Sequence, residues 1–483
     1  MAQSARSPIL ILVTAAGLLL ARPSLPAGIA QESKAAGSPD LVIVQAPVLQ
    51  SGALSQRFPQ GSRLVRLEAK SHSLTVLTPD FLAAADPRLS FDGSRVLFAG
   101  KKSPGVPWQI WEMNTDGSGQ QQVTHCSQDC LKPAYLPRGE IVFTALSPRP
   151  AGATSQLWVS KVDGSDAHPI TFGPGDFQVE TVLKSGVILA TARSPLVPAD
   201  GQPADRQLYT LRPDGSGLAT LRCDHQHAAR RTQAEELDDG SVVFVKSPIS
   251  QAAPGGELAW IRRGALHNAP LAAGPVRVLS PQPLSAEKLV VARQASAANS
   301  PRQNLALYAF DATHGRFGDL IYEDPKLASV AAVPVATHEP PRWYWSTLNP
   351  ALQTGYFVCL DSYLAEGALH GRLAVPLSKV RVLGLDPETQ RETSLGEAPI
   401  EADGSFYIAV PPDEAVRFEV LDANSQIVRE QRSWIWSRSG EEHGCVGCHE
   451  DRARAPENRW PLALRRFDTP TRLGVEAHPQ AAH

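Results

Sequence analysis

Phe91-Asp92-Gly93-Ser94-Arg95-Val96-Leu97-Phe98 is a tight turn followed at once by an apolar strand, and it returns along the chain. Variants are Pro137-Arg138-Gly139-Glu140-Ile141-Val142-Phe143, Lys184-Ser185-Gly186-Val187-Ile188-Leu189 and Asp238-Asp239-Gly240-Ser241-Val242-Val243-Phe244, with a degenerate copy at Ala286-Glu287-Lys288-Leu289-Val290-Val291. Each is followed by a second strand carrying an aromatic ring: Gln109-Ile110-Trp111, Gln156-Leu157-Trp158, Gln207-Leu208-Tyr209, Leu258-Ala259-Trp260 and Ala306-Leu307-Tyr308. Asp116-Gly117-Ser118-Gly119, Asp163-Gly164-Ser165 and Asp214-Gly215-Ser216-Gly217 then turn the chain again, because glycine accepts positive φ and the aspartate bonds the local backbone. The unit is a four-stranded antiparallel sheet that cannot bury both faces alone, so copies must stack radially into a β-propeller.

Leu64-Val65-Arg66-Leu67 and Leu74-Thr75-Val76-Leu77-Thr78 read as the outer pair of a sixth blade. Its inner strands are expected from the far end of the repeats, near Ala328 to Val335, giving six blades over 62–345. The repeats resemble the PD40, or TolB-like, propeller repeat most closely at 87–124 and 133–171, a likeness that speaks to architecture rather than function. The Ser- and Pro-rich connections within the strand pairs, at 103–107, 147–150, 194–198, 247–249 and 300–301, fall on one face and form a candidate partner-binding rim.

Beyond Pro340-Pro341-Arg342-Trp343 the pattern changes to short alternating strands. Val380-Arg381-Val382-Leu383, Phe406-Tyr407-Ile408-Ala409-Val410, Val416-Arg417-Phe418-Glu419-Val420-Leu421 and Ile427-Val428-Arg429 are parted by Asp403-Gly404-Ser405, Pro411-Pro412-Asp413 and Asp422-Ala423-Asn424. This predicts a small β-sandwich over 355–440 and an all-β fold class for the chain.

The sandwich leads into Cys445-Val446-Gly447-Cys448-His449. Two thiols three positions apart with an adjoining imidazole suit covalent haem attachment, each thiol adding across a vinyl group while the imidazole reaches the iron. With 6 Cys and 13 His in 483 residues, chance would produce this pattern about 0.002 times. The expected cofactor is one covalently attached haem c, held by Cys445 and Cys448, with His449 as the proximal iron ligand. The rivals are zinc on His443, Cys445, Cys448 and His449 and a plain disulfide between the two cysteines.

Residues 1–30, with Arg6 ahead of Pro8-Ile9-Leu10-Ile11-Leu12-Val13 and small residues before Ala30, read as a secretory signal, and 31–61 as a linker. An exported, periplasmic chain with no membrane span after processing agrees with haem attachment, which in bacteria takes place outside the cytoplasmic membrane. Among the other cysteines, Cys126 and Cys130 suit a short-range disulfide, while the pairing of Cys223 and Cys359 stays open. Cys223-Asp224-His225-Gln226-His227 reads as a polar turn rather than a metal site. A formal charge of -3 excludes a general attraction to nucleic acid or anionic membrane.

Leu395-Gly396-Glu397-Ala398-Pro399-Ile400, Asp403-Gly404-Ser405-Phe406, Val410-Pro411, Val420-Leu421-Asp422 and Gly440-Glu441-Glu442 leading to Cys445–Glu450 resemble the middle domain of the hydrazine synthase alpha subunit family. In that family a TolB-like propeller precedes a haem-bearing sandwich, so the resemblance implies this architecture and one bound haem. Two departures stand out. The family's namesake continues into a second haem domain, whereas 441–483 holds no second Cys-x-x-Cys-His, and Ala453 stands where the namesake has a tyrosine ligand.

For the far side of the iron, methionine is nearly excluded, since Met1 falls in the signal and Met113 in a propeller strand. His443, His338, His370, His225 and His227 are the histidine candidates. Arg452, Arg454, Arg459, Arg465 and Arg466 are candidates for pairing with haem propionates, and Trp434, Trp436 and Trp460 for packing on the porphyrin or filling a core. The primary functional expectation is electron transfer to a redox partner protein with the propeller as docking platform. The alternatives are a haem-dependent oxidoreductase acting on a small, nitrogenous molecule, and a propeller-based binding module with a structural haem or zinc. The absence of a Gly-x-Ser-x-Gly elbow argues against propeller-linked peptidase chemistry.

Overall fold

The computed structural model describes residues 38–49, 54–147, 154–193, 205–221, 229–251, 254–262, 265, 269–272, 276–294, 304–365, 371–431, 433–447 and 459–475. The expected signal at 1–30 lies outside them. No helix among the described residues is long and apolar enough to cross a membrane.

Six four-stranded antiparallel units make a six-bladed propeller. Blade 1 is typical: Ala83–Leu89 is innermost, followed outward by Arg95–Lys101, Gln109–Asn114 and Gln121–Gln122. Blades 3 and 4 share one long sheet through a single parallel pairing, Arg206 with Arg230. Apolar clusters fill the seams between successive blades, so the core is a ring. Leu136 and Val142 of blade 2 meet Ile188 and Leu211 of blade 3, and Val290 and Leu307 of blade 5 meet Ile43 and Val65 of blade 6.

Blade 6 closes that ring. Its sheet takes Ala328–Pro334 from one end of the repeats and Leu41–Ala46, Arg63–Leu67 and Leu74–Val76 from the other. The expectation of a linker over 31–61 is corrected here: Leu41–Ala46 is a strand buried throughout, pairing on one side with Arg63–Leu67 and on the other with Ala328–Pro334. An apolar Leu-Val-Ile-Val run flanked by two strands buries both faces. Its one polar side chain, Gln45, donates to Asp324 at 3.0 Å and accepts from Arg63 at 3.0 Å.

The Asp-Gly-Ser turns form one repeated cradle. Ser118, Ser165 and Ser216 each donate their backbone N–H to the aspartate two residues earlier, at 2.8, 2.9 and 3.0 Å. Their glycines also seat the blades, since a Cβ at Gly164 would lie 2.1 Å from the carbonyl of Val123 in the preceding blade. Cys126 and Cys130 form a disulfide. Of the candidate rim loops, the parts within 148–153, 194–204 and 295–303 lie outside the described residues.

From Ala336 the chain crosses the inner turns of blades 1 to 3. His338 N–H donates to the Phe91 carbonyl at 2.9 Å and Arg342 N–H to that of Lys184 at 3.0 Å, while Arg138 lies over the Trp343 and Trp345 rings.

The sandwich that follows has two four-stranded sheets. One orders Glu392–Pro399, Lys379–Leu385, Val416–Leu421 and Ile427–Glu430; the other orders Glu442–Cys445, Gly355–Cys359, Phe406–Val410 and Thr471–Arg472. Phe357, Val380, Val382, Phe406, Ile408, Phe418 and Val420 form its core. The expected boundary at 440 is corrected: residues on both sides of the Cys-x-x-Cys-His motif are strands of the sandwich rather than an appended tail. Their backbone groups find partners on the exposed edges of an existing sheet.

Candidate functional site

Cys445 ends the strand Glu442–Cys445, which runs parallel to Gly355–Cys359 with Phe357 opposite His443 and Cys359 opposite Cys445. Alternation along the strand turns His443 and Cys445 toward the sandwich interior. The His443 ring tilts against Phe357 at 5.4 Å, and Cys445 packs half-exposed on the core. On the opposite face Tyr407 donates to Glu442 at 3.4 Å, and burial together with that carboxylate pushes the phenol up to about 12.

The approach to this strand is held from below. Ser437 Oγ donates to the Glu441 carbonyl at 2.9 Å and accepts from the Tyr356 N–H at 3.2 Å. Gly440 turns the chain at φ 74°. Glu441 accepts from the Arg438 N–H at 2.8 Å and from the Gly217 N–H of blade 3 at 2.7 Å. Burial opposes the Glu441 charge, but the His443 ring 3.9 Å away and these two N–H groups hold its carboxyl below the ordinary value.

After Cys445, the Leu360 N–H donates to the Cys445 carbonyl at 2.9 Å. Gly447 presses on the loop beneath, where a Cβ would lie 2.6 Å from the Leu364 carbonyl. The glycine inside the motif is therefore required by close backbone approach.

Cys448 and His449, the other two expected haem residues, lie outside the described residues, as do Cys223, His225, His227, His370, Arg452 and Arg454. The described part fits a thioether-linked haem: Cys445 is only partly buried and ends an edge strand, whereas Cys359 is buried and Cys126 and Cys130 are bonded together. Among the described residues no group of three or more His, Cys, Asp or Glu side chains is placed to hold a metal ion.

The remaining candidates separate. Met113 is buried in the core around blade 1, and His338 meets the Phe91 ring edge-on at 5.4 Å, so neither belongs to the sandwich strand that carries Cys445. Arg466 pairs with Glu401 at 2.8 Å and with Asp468, Arg459 donates to the Asp403 carbonyl at 3.0 Å, and Arg465 is exposed. These contacts tie the returning chain to the turn at Asp403.

Trp436 fills a propeller seam beside Phe172 and Phe177, with ring centroids 5.9 and 5.6 Å away. Trp434 lies near Arg417, and Trp460 is 64% exposed. The contacts missed from sequence are those of Trp436, Arg438 and Glu441 with the third Asp-Gly-Ser-Gly turn. Only the recurrence of that turn marked its half of the junction.

Comparison with known proteins gives three results. The family model for the hydrazine synthase alpha subunit middle domain matches residues 376–450. The hydrazine synthase subunit alpha of Kuenenia stuttgartiensis is 39% identical over 105 residues, covering 21% of this chain and 13% of that protein. A solved Kuenenia stuttgartiensis hydrazine synthase superposes with TM-score 0.78 at 21% identity, over 89% of this chain and 71% of that one, a likeness of fold.

Proposed function

Since residues 376–450 belong to the hydrazine synthase alpha middle-domain family, set behind a six-bladed propeller, we propose that this chain is an exported, haem-bearing oxidoreductase component acting on a small, nitrogenous molecule. The observation that carries the reading is the run of the family match through the Cys-x-x-Cys-His motif, whose first thiol stands half-exposed on a strand tied to the sandwich and, through Glu441, to blade 3. Cys445 and Cys448 hold one haem c and His449 ligates its iron. The bound haem supplies one-electron redox and small-ligand chemistry. The chain's own residues fix its anchor: Gly447 sets the close approach, and Ser437 and Glu441 lock the strand leading to Cys445. Partner proteins complete the assembly, with the propeller as platform.

Pure electron transfer, the primary expectation from sequence, is the second reading. It is favoured by the place of Cys445 at the end of an edge strand, where the sandwich core covers it only in part. The test is an absorption spectrum of chain produced with a c-type maturation system, taken oxidised, reduced and with carbon monoxide. A haem band surviving denaturation supports covalent attachment, and its absence overturns the proposal. Carbon monoxide binding to the reduced iron supports small-molecule chemistry, whereas a low-spin spectrum indifferent to it selects electron transfer.

A further inference from the structure

Cys359 and Cys445 are direct partners in the parallel pairing of Gly355–Cys359 with Glu442–Cys445. Paired residues on adjacent strands project to the same side, here toward the sandwich core, where Cys359 is buried and Cys445 packs partly exposed. The structure shows no bond between the two sulfurs, but neighbouring strands in general lie about 4.8 Å apart, within the span of about 4.4–6.8 Å between Cα atoms that a disulfide bridges. The surrounding backbone is held in place. Leu360 N–H donates to the Cys445 carbonyl at 2.9 Å, and the Ser362 hydroxyl lies 3.5 Å from the Cys359 sulfur.

We propose that Cys359 and Cys445 form a disulfide in the chain before haem is attached, withholding Cys445 from the haem vinyl group until a dithiol reductant opens the bridge. The effect on loading rests on reading Cys445 as an attachment thiol; the bridge itself does not. The Cys445 thiolate, reached from solvent, attacks an external disulfide, either a thiol–disulfide oxidoreductase or oxidised glutathione, and expels one thiolate. Cys359, losing its proton, then attacks the Cys445 sulfur and expels the second. The external disulfide gains two electrons, the cysteine pair loses two, and their two protons pass to the departing thiolates. A dithiol reverses both exchanges. While the bridge stands, Cys445 has no S–H to add across a vinyl group.

The test uses full-length chain produced without haem, equilibrated with oxidised glutathione, alkylated and digested unreduced for mass spectrometry. The expected product is a Cys359–Cys445 linked peptide that disappears with dithiothreitol. A Cys445–Cys448 bridge in its place, or fully alkylated Cys359, overturns the proposal. In a second arm, oxidised wild type, Cys359→Ser and Cys359→Ala receive haem without prior reduction. About tenfold higher loading of the variants supports the gate, and equal loading overturns it. A linked peptide in a chain that takes up no haem even when reduced confirms the bridge while removing the reading of Cys445 as an attachment site.

Discussion

The indole N–H of Trp436 donates to the carbonyl of Gly215 at 3.1 Å, so a tryptophan from the segment approaching the Cys-x-x-Cys-His motif caps a propeller turn. Arg438 extends the contact by donating to the Asp214 carbonyl and pairing with Asp413 at 2.6 Å. The two domains are thus joined by buried, directional contacts.

Trp436→Ala empties the seam between Phe172 and Phe177 and is expected to destabilise by about 3–5 kcal/mol. Trp436→Phe keeps most of the packing and loses one hydrogen bond to a buried carbonyl, about 1 kcal/mol. Denaturant midpoints of the two variants separate cavity from hydrogen bond.

Gly186 has φ 89°, and a Cβ there would lie 2.0 Å from the Arg342 carbonyl, whereas Gly105 has φ 81° with nothing within 4 Å. Gly105→Ala therefore measures left-handed strain alone, about 1 kcal/mol. Gly186→Ala adds displacement of the crossing segment, expected as a larger fall in melting temperature and faster tryptic cleavage at Arg342.

Around the propeller axis, Arg88 pairs with Glu235 at 2.5 Å and Lys132 with Glu180 at 2.7 Å. They line a cavity of about 70 Å³ with Gln233, Ser280 and Gln282. Arg88→Met strands the buried Glu235 carboxylate and should cost about 3–5 kcal/mol. Adding Glu235→Gln should recover part of it, a non-additivity read from the double-mutant cycle.

Asp403 accepts from the Leu462 N–H at 2.9 Å and the Ser405 hydroxyl at 2.6 Å. Burial opposes its charge, yet these bonds hold the carboxyl below its ordinary 3.8. A depressed folded value means the stabilisation is present above pH 3.8 and is lost as pH falls through the folded value. Acid should therefore release the chain around 459–473, seen as faster amide exchange at Leu462 and Ala463. Asp403→Asn should lose about 1–3 kcal/mol at neutral pH and flatten that acid limb.

His449→Ala is expected to keep haem bound through Cys445 and Cys448 while changing its spin state. Cys445→Ser with Cys448→Ser should abolish haem that survives denaturation. The absorption spectrum of the native protein reads the spin state, and pyridine haemochrome spectra of denatured protein read the covalent attachment.

The propeller was legible because its information is local and repeated. Each Asp-Gly turn needs only its own residues to bond Ser to Asp, as the three matching cradles show. Blade 6 was half legible: Leu64–Leu67 and Leu74–Thr78 carried strand patterns, but Leu41–Ala46 has no adjoining repeat turn, and its partners come from both sides of a ring closure.

By itself the sequence determined the all-β class, six radial units and a following sandwich. These follow from periodicity and turn residues, which act over a few neighbouring positions. Tertiary structure alone decided that Leu41–Ala46 closes the ring, that Trp436 serves the propeller, and that Cys359 stands beside Cys445. Strand pairings and side-chain burial between distant segments depend on which surfaces remain uncovered once the local units have formed, and no short stretch of sequence encodes that.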